Sequence, residues 1–299
     1  MQPGGVAIHA MHPVAHVGQA GSGHESHIAG ADDGEIHGLA PFGYRYPHPA
    51  SSIPPANASI WLHLFPPAGG KVAAMSPSLS SLTIVSPHLD DAVFSCGTLL
   101  ERTPGATVVT VFAGTPRDAP LTDWDRQCGF ASAQAAMQAR RTEDAKALAM
   151  LGASPVWLDL LDAQYGGAYR PEDIEQHLAP CLDRRRGGMV AVPLGLFHSD
   201  HQVVHEACLR LHAGHPELEW LCYEDALYRR LPGLLQDRLA SLLRSGWRLT
   251  PVIAPTSASG AKARAVRAYA SQLRAFGEGG YEDTDLPERL WRLERHDIG

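Results

Sequence analysis

From Leu82 onward the chain alternates short, unbroken apolar runs with stretches of helical period, and this alternation narrows its fold more than any other feature. Leu82–Val85, Ala106–Phe112, Val156–Leu161, Met189–Pro193, Leu218–Tyr223 and Trp247–Ile253 read as strands. Helical patterns lie between them. One runs through Val93, Leu99 and Leu100, and a long one stops at Leu151-Gly152, with glycine as its C-terminal signal. Others span Pro171–Arg185, His201–His212, Leu234–Leu243 and Ala261–Phe276. Strands that are apolar throughout are buried on both faces, so the pattern predicts an α/β fold with a mainly parallel sheet and helices on both sides. The chemistry of such sheets sits on loops leaving the carboxyl ends of strands.

Residues 1–78 have a different texture. They are rich in Gly, Pro, Ala, Ser and His and carry no sustained period of 2 or 3.6; the one apolar piece is Trp61–Phe65. Such a stretch buries too little surface to offset the entropy of ordering it, which predicts a disordered extension before a domain at 79–299. Half of the 16 histidines lie before residue 75, and without a scaffold His9, His12, His16, His24 and His27 read as solvated side chains. Met75 stands at the change of composition and reads as a candidate start.

A net charge of −7 argues against a nucleic-acid partner or an anionic membrane surface. No apolar run reaches spanning length, and the N-terminus lacks a basic region followed by an apolar one. The five cysteines are widely spaced with no C-x-x-C, the pattern of reduced thiols in a cytoplasmic protein. There is no G-x-G-x-x-G and no G-K-[ST], so a nucleotide cofactor is not expected. Arg184-Arg185-Arg186 reads as a solvated helix end, Trp157 and Phe112 as core, and Cys96 as packing.

Two strand-end loops carry metal-ligand residues: Ser86-Pro87-His88-Leu89-Asp90-Asp91 and Phe197-His198-Ser199-Asp200-His201. A catalytic zinc takes three nitrogen or oxygen ligands and keeps one position for water, and two histidines with a carboxylate suit Fe(II) equally. The remaining aspartate and histidine would supply a base and an acid. Each piece has a plainer reading. Asp90 or Asp91 caps the helix that follows, and His198 and Asp200 bond to backbone in a loop. Co-occurrence at two strand ends favours the metal site.

Ser86–Cys96 resembles the P-H-P-D-D-E motif, and His198–His201 the H-P-D-H motif, of the PIG-L/LmbE-like zinc-dependent deacetylases, which hydrolyse the acetamide of N-acetylglucosamine derivatives. Arg140-x-x-Glu143, Asp162, Tyr223-Glu224-Asp225 and Tyr269-x-Ser271-Gln272 are similar to further signatures of that family, extending the resemblance over residues 80 to 280. It implies a Rossmann-like sheet, a zinc ion (Fe2+ in its place also fitting) and an amino-sugar substrate. It also implies His88, Asp91 and His201 as ligands, Asp90 as base, His198 as acid and oxyanion donor, and Asp200 as the carboxylate that orients His198 or tunes its pKa. Arg140 and Asp162 would bind sugar hydroxyls. Leu89 stands where the family has proline, and Ala92 where it has glutamate, which removes one supporting carboxylate. The rival readings are an amidase of the same family acting on a different amide, such as a thiol conjugate, and a metal-containing binding protein without turnover.

Because no proposed catalytic group precedes residue 79, a chain beginning at Met75 should fold and keep its turnover. Circular dichroism and acetate release on the truncated protein check this, and an unfolded or metal-replete but inactive truncation would contradict it.

Overall fold

The computed structural model describes residues 81–182, 188–256 and 259–296. The expected extension at 1–78, the start at Met75 and the Arg184–Arg186 helix end lie outside these residues. Among the described residues the strands are β1 (Leu82–Ser86), β2 (Thr107–Thr110), β3 (Ser154–Trp157), β4 (Met189–Pro193), β5 (Glu219–Tyr223), β6 (Trp247–Val252) and β7 (Leu290–Arg295). The helices are α1 (Asp91–Glu101), α2 (Asp123–Gln127), α3 (Ala133–Met150), α4 (Pro171–Leu182), α5 (Ser199–His212), α6 (Leu234–Arg244), α7 (Ala261–Val266) and α8 (Ala270–Phe276). No described helix is long and apolar enough to cross a membrane.

The strands form one sheet in the order β3-β2-β1-β4-β5-β7-β6. Strands β1 to β5 run parallel, and only β7 is antiparallel to its neighbours. Side chains alternate across each strand, so the sheet separates two cores. One face carries Val85, Val109, Val190, Val192 and Cys222 against Leu178 of α4, Val204 of α5 and Leu239 of α6. The other carries Ile84, Val108, Ala191 and Leu221 against helices α1, α3, α7 and α8. This is the expected mainly parallel α/β sheet with helices on both faces.

The chain runs outward from β1 to β2 and β3, then returns to place β4 on the other side of β1. The crevice between the carboxyl ends of β1 and β4 is a topological switch point, where sheets of this kind bind ligands. The turn after β4 needs a special backbone. Gly195 has φ +77°, and a Cβ there would lie 2.9 Å from that of His205. Buried bonds then fix the turn: His205 Nδ1 donates to Pro193 O (2.7 Å), and Arg238 Nε donates to Leu194 O (2.9 Å).

Several elements differ from expectation. Strand β3 begins and ends earlier than Val156–Leu161, because only Ser154–Trp157 register against β2; beyond them Phe112 and Asp159 form an isolated bridge. The expected helix Ala261–Phe276 is two helices, α7 and α8. Tyr269 interrupts it, its hydroxyl donating to the buried Asp144 carboxylate (2.8 Å) while Glu143 takes the N–H and hydroxyl of Ser271 (2.8 and 2.6 Å). Glu143 of the R-x-x-E pattern therefore starts α8. Helix α1 is kinked at Cys96, and the Glu288 carboxylate accepts from Thr98 N and Leu99 N there (2.6 and 3.0 Å) while paired with Lys262 (2.9 Å).

His205 is fully buried, and its Nε2 has no hydrogen-bond partner among the described residues. Burial, and then the charge of Arg238, push its pKa from 6.5 down to about 3. The unfolded chain therefore takes the proton first, so stability contributed by neutral His205 is whole above pH 6.5 and drains as pH falls towards 3. His205→Leu should flatten the loss of thermal stability between pH 6.5 and 4; an unchanged slope of Tm against pH would exclude this role.

Candidate metal centre

The loop after β1 is built by short local bonds. The Ser86 hydroxyl donates to His88 O (2.7 Å) and accepts from Ala92 N (3.0 Å), and His88 N donates to Asp91 Oδ2 (2.8 Å). Ser86 thus does the capping work at the start of α1. Asp90 holds the N-cap position but makes no cap bond, and its carboxylate hydrogen-bonds to none of the described residues. The capping reading of Asp90 fails on this geometry. Leu89, in place of proline, is buried with Ala113, Ala133, Met137 and Tyr165 and anchors the loop. Truncating such a side chain typically costs about 2–5 kcal/mol.

Helix α5 supplies the second half. His198 is its N-cap, with Nδ1 accepting from Asp200 N (3.2 Å). That bond leaves the ring proton of neutral His198 on Nε2. One turn in, His201 is buried, and its Nδ1 donates to Asp225 Oδ1 (2.7 Å) just past β5, so Nε2 offers a lone pair. This Nε2 is buried without a hydrogen-bond partner and faces Asp91 Oδ2 at 3.3 Å. His88 Nδ1 lies 3.3 Å from the same oxygen.

These spacings test the fit of a metal. Ligand bonds of roughly 2.0–2.1 Å in a tetrahedron put ligand atoms about 3.3–3.4 Å apart. The Asp91–His88 and Asp91–His201 separations match that edge, and ligand atoms of His88, Asp91 and His201 all lie within 4.8 Å of one another. His88, His198 and Asp200 make a second set within the same limit. Its atoms are already engaged, since His88 Nε2 bonds Asp200 Oδ2 (3.0 Å) and His198 Nδ1 takes the backbone N–H. The first set fits a divalent ion; the second fits the role of support.

Each imidazole of the first set has a carboxylate behind it, Asp200 on His88 and Asp225 on His201. The Asp200 carboxylate, expected to orient His198 or tune its pKa, lies 4.0 Å from His198 Nδ1, and its charge works against the lowering of the His198 pKa. Nothing in local sequence says which histidine a carboxylate between two of them will reach. Asp225 went without a role in the sequence reading, although Tyr223-Glu224-Asp225 ends a strand beside β4 and the strand-end rule points to it.

The electrostatics follow from burying many like charges together. Burial opposes charge on His201, but Asp91 and Asp225 outweigh it and raise its pKa to about 9. For His88 too, burial opposes a rise that Asp200 and Asp91 impose. Asp91 is held below the usual carboxylate range by His201 and His88 despite its burial. Burial, and then the neighbouring Asp91, push Asp90 up to about 7. Burial first, then His88 and His201, lower His198 to about 4, so it is neutral near pH 7.

Of the expected substrate residues, Asp162 lies beside the centre, with Oδ2 4.0 Å from His88 Nε2, and accepts from Gln164 N and Nε2 (2.9 and 2.8 Å). Arg140 is buried behind it. Its guanidinium pairs with the fully buried Asp125 (2.9 Å), its Nε has no hydrogen-bond partner, and its charge lowers the Asp90 pKa. Ala92 is buried, and the carboxylates supporting the imidazoles come from Asp200 and Asp225. Phe197 and Tyr228 also flank the centre. Their rings stack at 5.5 Å, and Tyr228 stands edge-on to His201 at 5.2 Å.

Residues 83–212, which contain both loops, match the family model PIG-L, described as GlcNAc-PI de-N-acetylase. That stretch of the chain is therefore similar to a PIG-L domain. No curated protein matches the chain. Among solved structures, the zinc-inhibited form of teicoplanin deacetylase Orf2 is 22% identical, with 73% of this chain and 100% of that chain covered and a TM-score of 0.61. The A40926 pseudoaglycone deacetylase Dbv21 is 25% identical, with 74% and 100% covered and a TM-score of 0.58. GalB, the 4-carboxy-2-hydroxymuconate hydratase from Pseudomonas putida KT2440, is 16% identical, with 73% and 98% covered and a TM-score of 0.51. Deacetylases and a hydratase share the PIG-L-like sheet, so the fold leaves the reaction to be argued from the site.

Because protons on His88 and His201 compete with a cation, metal affinity of this protein should rise with pH by about tenfold per unit for each proton displaced. Asp225→Asn should weaken zinc binding by roughly 10–100-fold. Competition titration with a chelator reads both; equal affinity in the parent and Asp225→Asn proteins would remove Asp225 from the site.

Proposed function

We propose that this protein is a metal-dependent amide hydrolase that removes the acetyl group from an N-acetylated amino sugar or its glycoside. The observation that carries the reading is the Asp90–Asp91 pair. Asp91 faces two imidazole nitrogens at tetrahedral spacing, while Asp90, freed from capping by Ser86, keeps an uncommitted carboxylate next to it. A hydrolase needs both functions, one carboxylate to ligate and one to accept a proton. Zinc suits the ligand set of His88, Asp91 and His201, and Fe2+ suits it equally.

A divalent ion at these ligands would lower the pKa of a coordinated water and polarise the amide carbonyl. Asp90 takes the proton from the attacking water. Its elevated pKa, about 7, suits a base that works near neutrality. His198 presents Nε2–H to the oxyanion, because its Nδ1 is held by the Asp200 backbone. The proton that Asp90 takes from the water is relayed to His198 as negative charge develops beside it, and the imidazolium so formed would donate a proton to the departing nitrogen and return to the neutral form. Asp200 and Asp225 hold the two ligand rings. Asp162, whose Oδ2 lies 4.0 Å from His88 Nε2, would bind a sugar hydroxyl, and Arg140, paired with the buried Asp125, would support that side of the site. The substrate is a small amino-sugar derivative, and the reduced state of the five cysteines supports a cytoplasmic setting.

Asp90→Asn should retain the metal and lose about 10²- to 10⁴-fold in kcat. The base works deprotonated, and a bound cation draws its pKa below the metal-free value, so kcat/KM of the parent enzyme should fall as pH drops on a limb below 7. Elemental analysis and acetate release from N-acetylglucosamine and from a thiol-conjugate amide check these outcomes. A nearly fully active Asp90→Asn protein would overturn the role of Asp90. Turnover of the thiol conjugate alone would overturn the sugar.

A further inference from the structure

We propose that Gln164 is a positioning residue for substrate recognition, its side-chain amide setting the plane in which the Asp162 carboxylate meets a ring hydroxyl of the amino sugar. This rests on the deacetylase reading above and on the role of Asp162 within it. Gln164 is half-buried in the turn that follows β3, on the side of the centre where Asp162 Oδ2 lies 4.0 Å from His88 Nε2.

The turn fixes where Asp162 stands. Ala163 N donates to Asp200 Oδ2 (3.3 Å), the oxygen that also bonds His88 Nε2 (3.0 Å), so the turn is registered on the ligand set itself. It also closes tightly: Gly166 has φ +85°, and a Cβ on Gly167 would fall 2.0 Å from Leu161 O. Position does not settle how a carboxylate faces, because the last torsion of aspartate is broad. Gln164 N donates to Oδ1 (2.9 Å), and Gln164 Nε2 donates to Oδ2 (2.8 Å). The first bond alone would let the carboxylate turn about that torsion. The second, to the other oxygen, locks its plane.

The amide works only one way round. Thr122 Oγ1, in the loop after β2, accepts from Asp125 N (3.1 Å), which leaves its own proton for Gln164 Oε1 (2.9 Å). A flipped amide would set Oε1 against a carboxylate oxygen, two acceptors at 2.8 Å. Thr122 therefore orients Gln164, and Gln164 orients Asp162. Among the described residues, Gln164 makes both hydrogen bonds to the Asp162 carboxylate, using two of its roughly four lone-pair sites. The sites left over accept only, and a ring hydroxyl is the donor that an amino sugar brings.

The test uses full-length, zinc-loaded protein and Gln164→Met, which keeps the length of the side chain and removes its donor and acceptor. Acetate release from N-acetylglucosamine gives KM and kcat, and calorimetric titration with glucosamine, the product, gives an affinity that needs no turnover. Gln164→Met should raise KM and weaken glucosamine binding by about three- to tenfold, while kcat and zinc affinity change by no more than about twofold. In the Asp162→Ala protein the same substitution should alter neither glucosamine affinity nor kcat/KM, because the group it positions is gone. Unchanged glucosamine affinity in Gln164→Met, an equal loss in the Asp162→Ala background, or a parent protein that does not bind glucosamine would overturn the proposal. So would loss of zinc in Gln164→Met, the mark of a scaffold residue. A parent that releases no acetate, yet binds glucosamine with the two substitutions coupled, would sink the deacetylase reading and leave Gln164 in its role.

Discussion

The Asp91 carboxylate joins the two halves of this site, and the arrangement around it depends on where that group is held. It sits in the first turn of α1, where the helix dipole favours negative charge, and one of its oxygens accepts the His88 backbone N–H while facing both imidazoles. His88 is its neighbour in sequence, but His201 arrives from a helix that follows β4. Parallel pairing of β1 with β4 at the switch point is what makes that meeting possible. The sheet therefore acts as the ruler of the site.

Around this carboxylate the molecule concentrates charge it would otherwise avoid. Asp90, Asp91, Asp200 and Asp225 lie close together with the half-buried His88 and the buried His201, both raised in pKa. The carboxylates raise the pKa of both histidines, and Asp90 is pushed up by burial and by Asp91. Sites that store unfavourable charge are paid for by the scaffold, here by two apolar cores and by buried bonds that pin the loops. The strained backbone at Phe197 belongs to the same account, since a bulky residue in the left-handed region costs roughly 1–3 kcal/mol.

The architecture was largely legible because strands buried on both faces must be mostly apolar: β4 is so throughout, β1 apart from Thr83 and Ser86, and β5 apart from Glu219. The failures are informative. Strand β7 went unread because its run Leu290–Arg295 is interrupted by Arg292 and ends in Glu294-Arg295, while its antiparallel neighbours supply the pairing. The short helix α2 is hidden in a polar loop and is started by Thr122, whose hydroxyl accepts from Asp125 N. The break between α7 and α8 was unreadable because its cause, the buried bond from Tyr269 to Asp144, spans residues far apart in sequence.

What the sequence by itself determined is the inventory and its address: two histidines and an aspartate, with a spare aspartate and histidine, on loops at two strand ends. Residue type and strand periodicity are local properties, so they can be read along the chain. Only the tertiary structure decided the assignments within that inventory. It put Asp200 behind His88 and Asp225 behind His201, let Ser86 relieve Asp90 of capping, and committed Arg140 to Asp125. Each of these depends on which way a side chain points once distant strands have paired. A carboxylate near two imidazoles goes to the one whose nitrogen lies within 3 Å, and that distance exists only after folding.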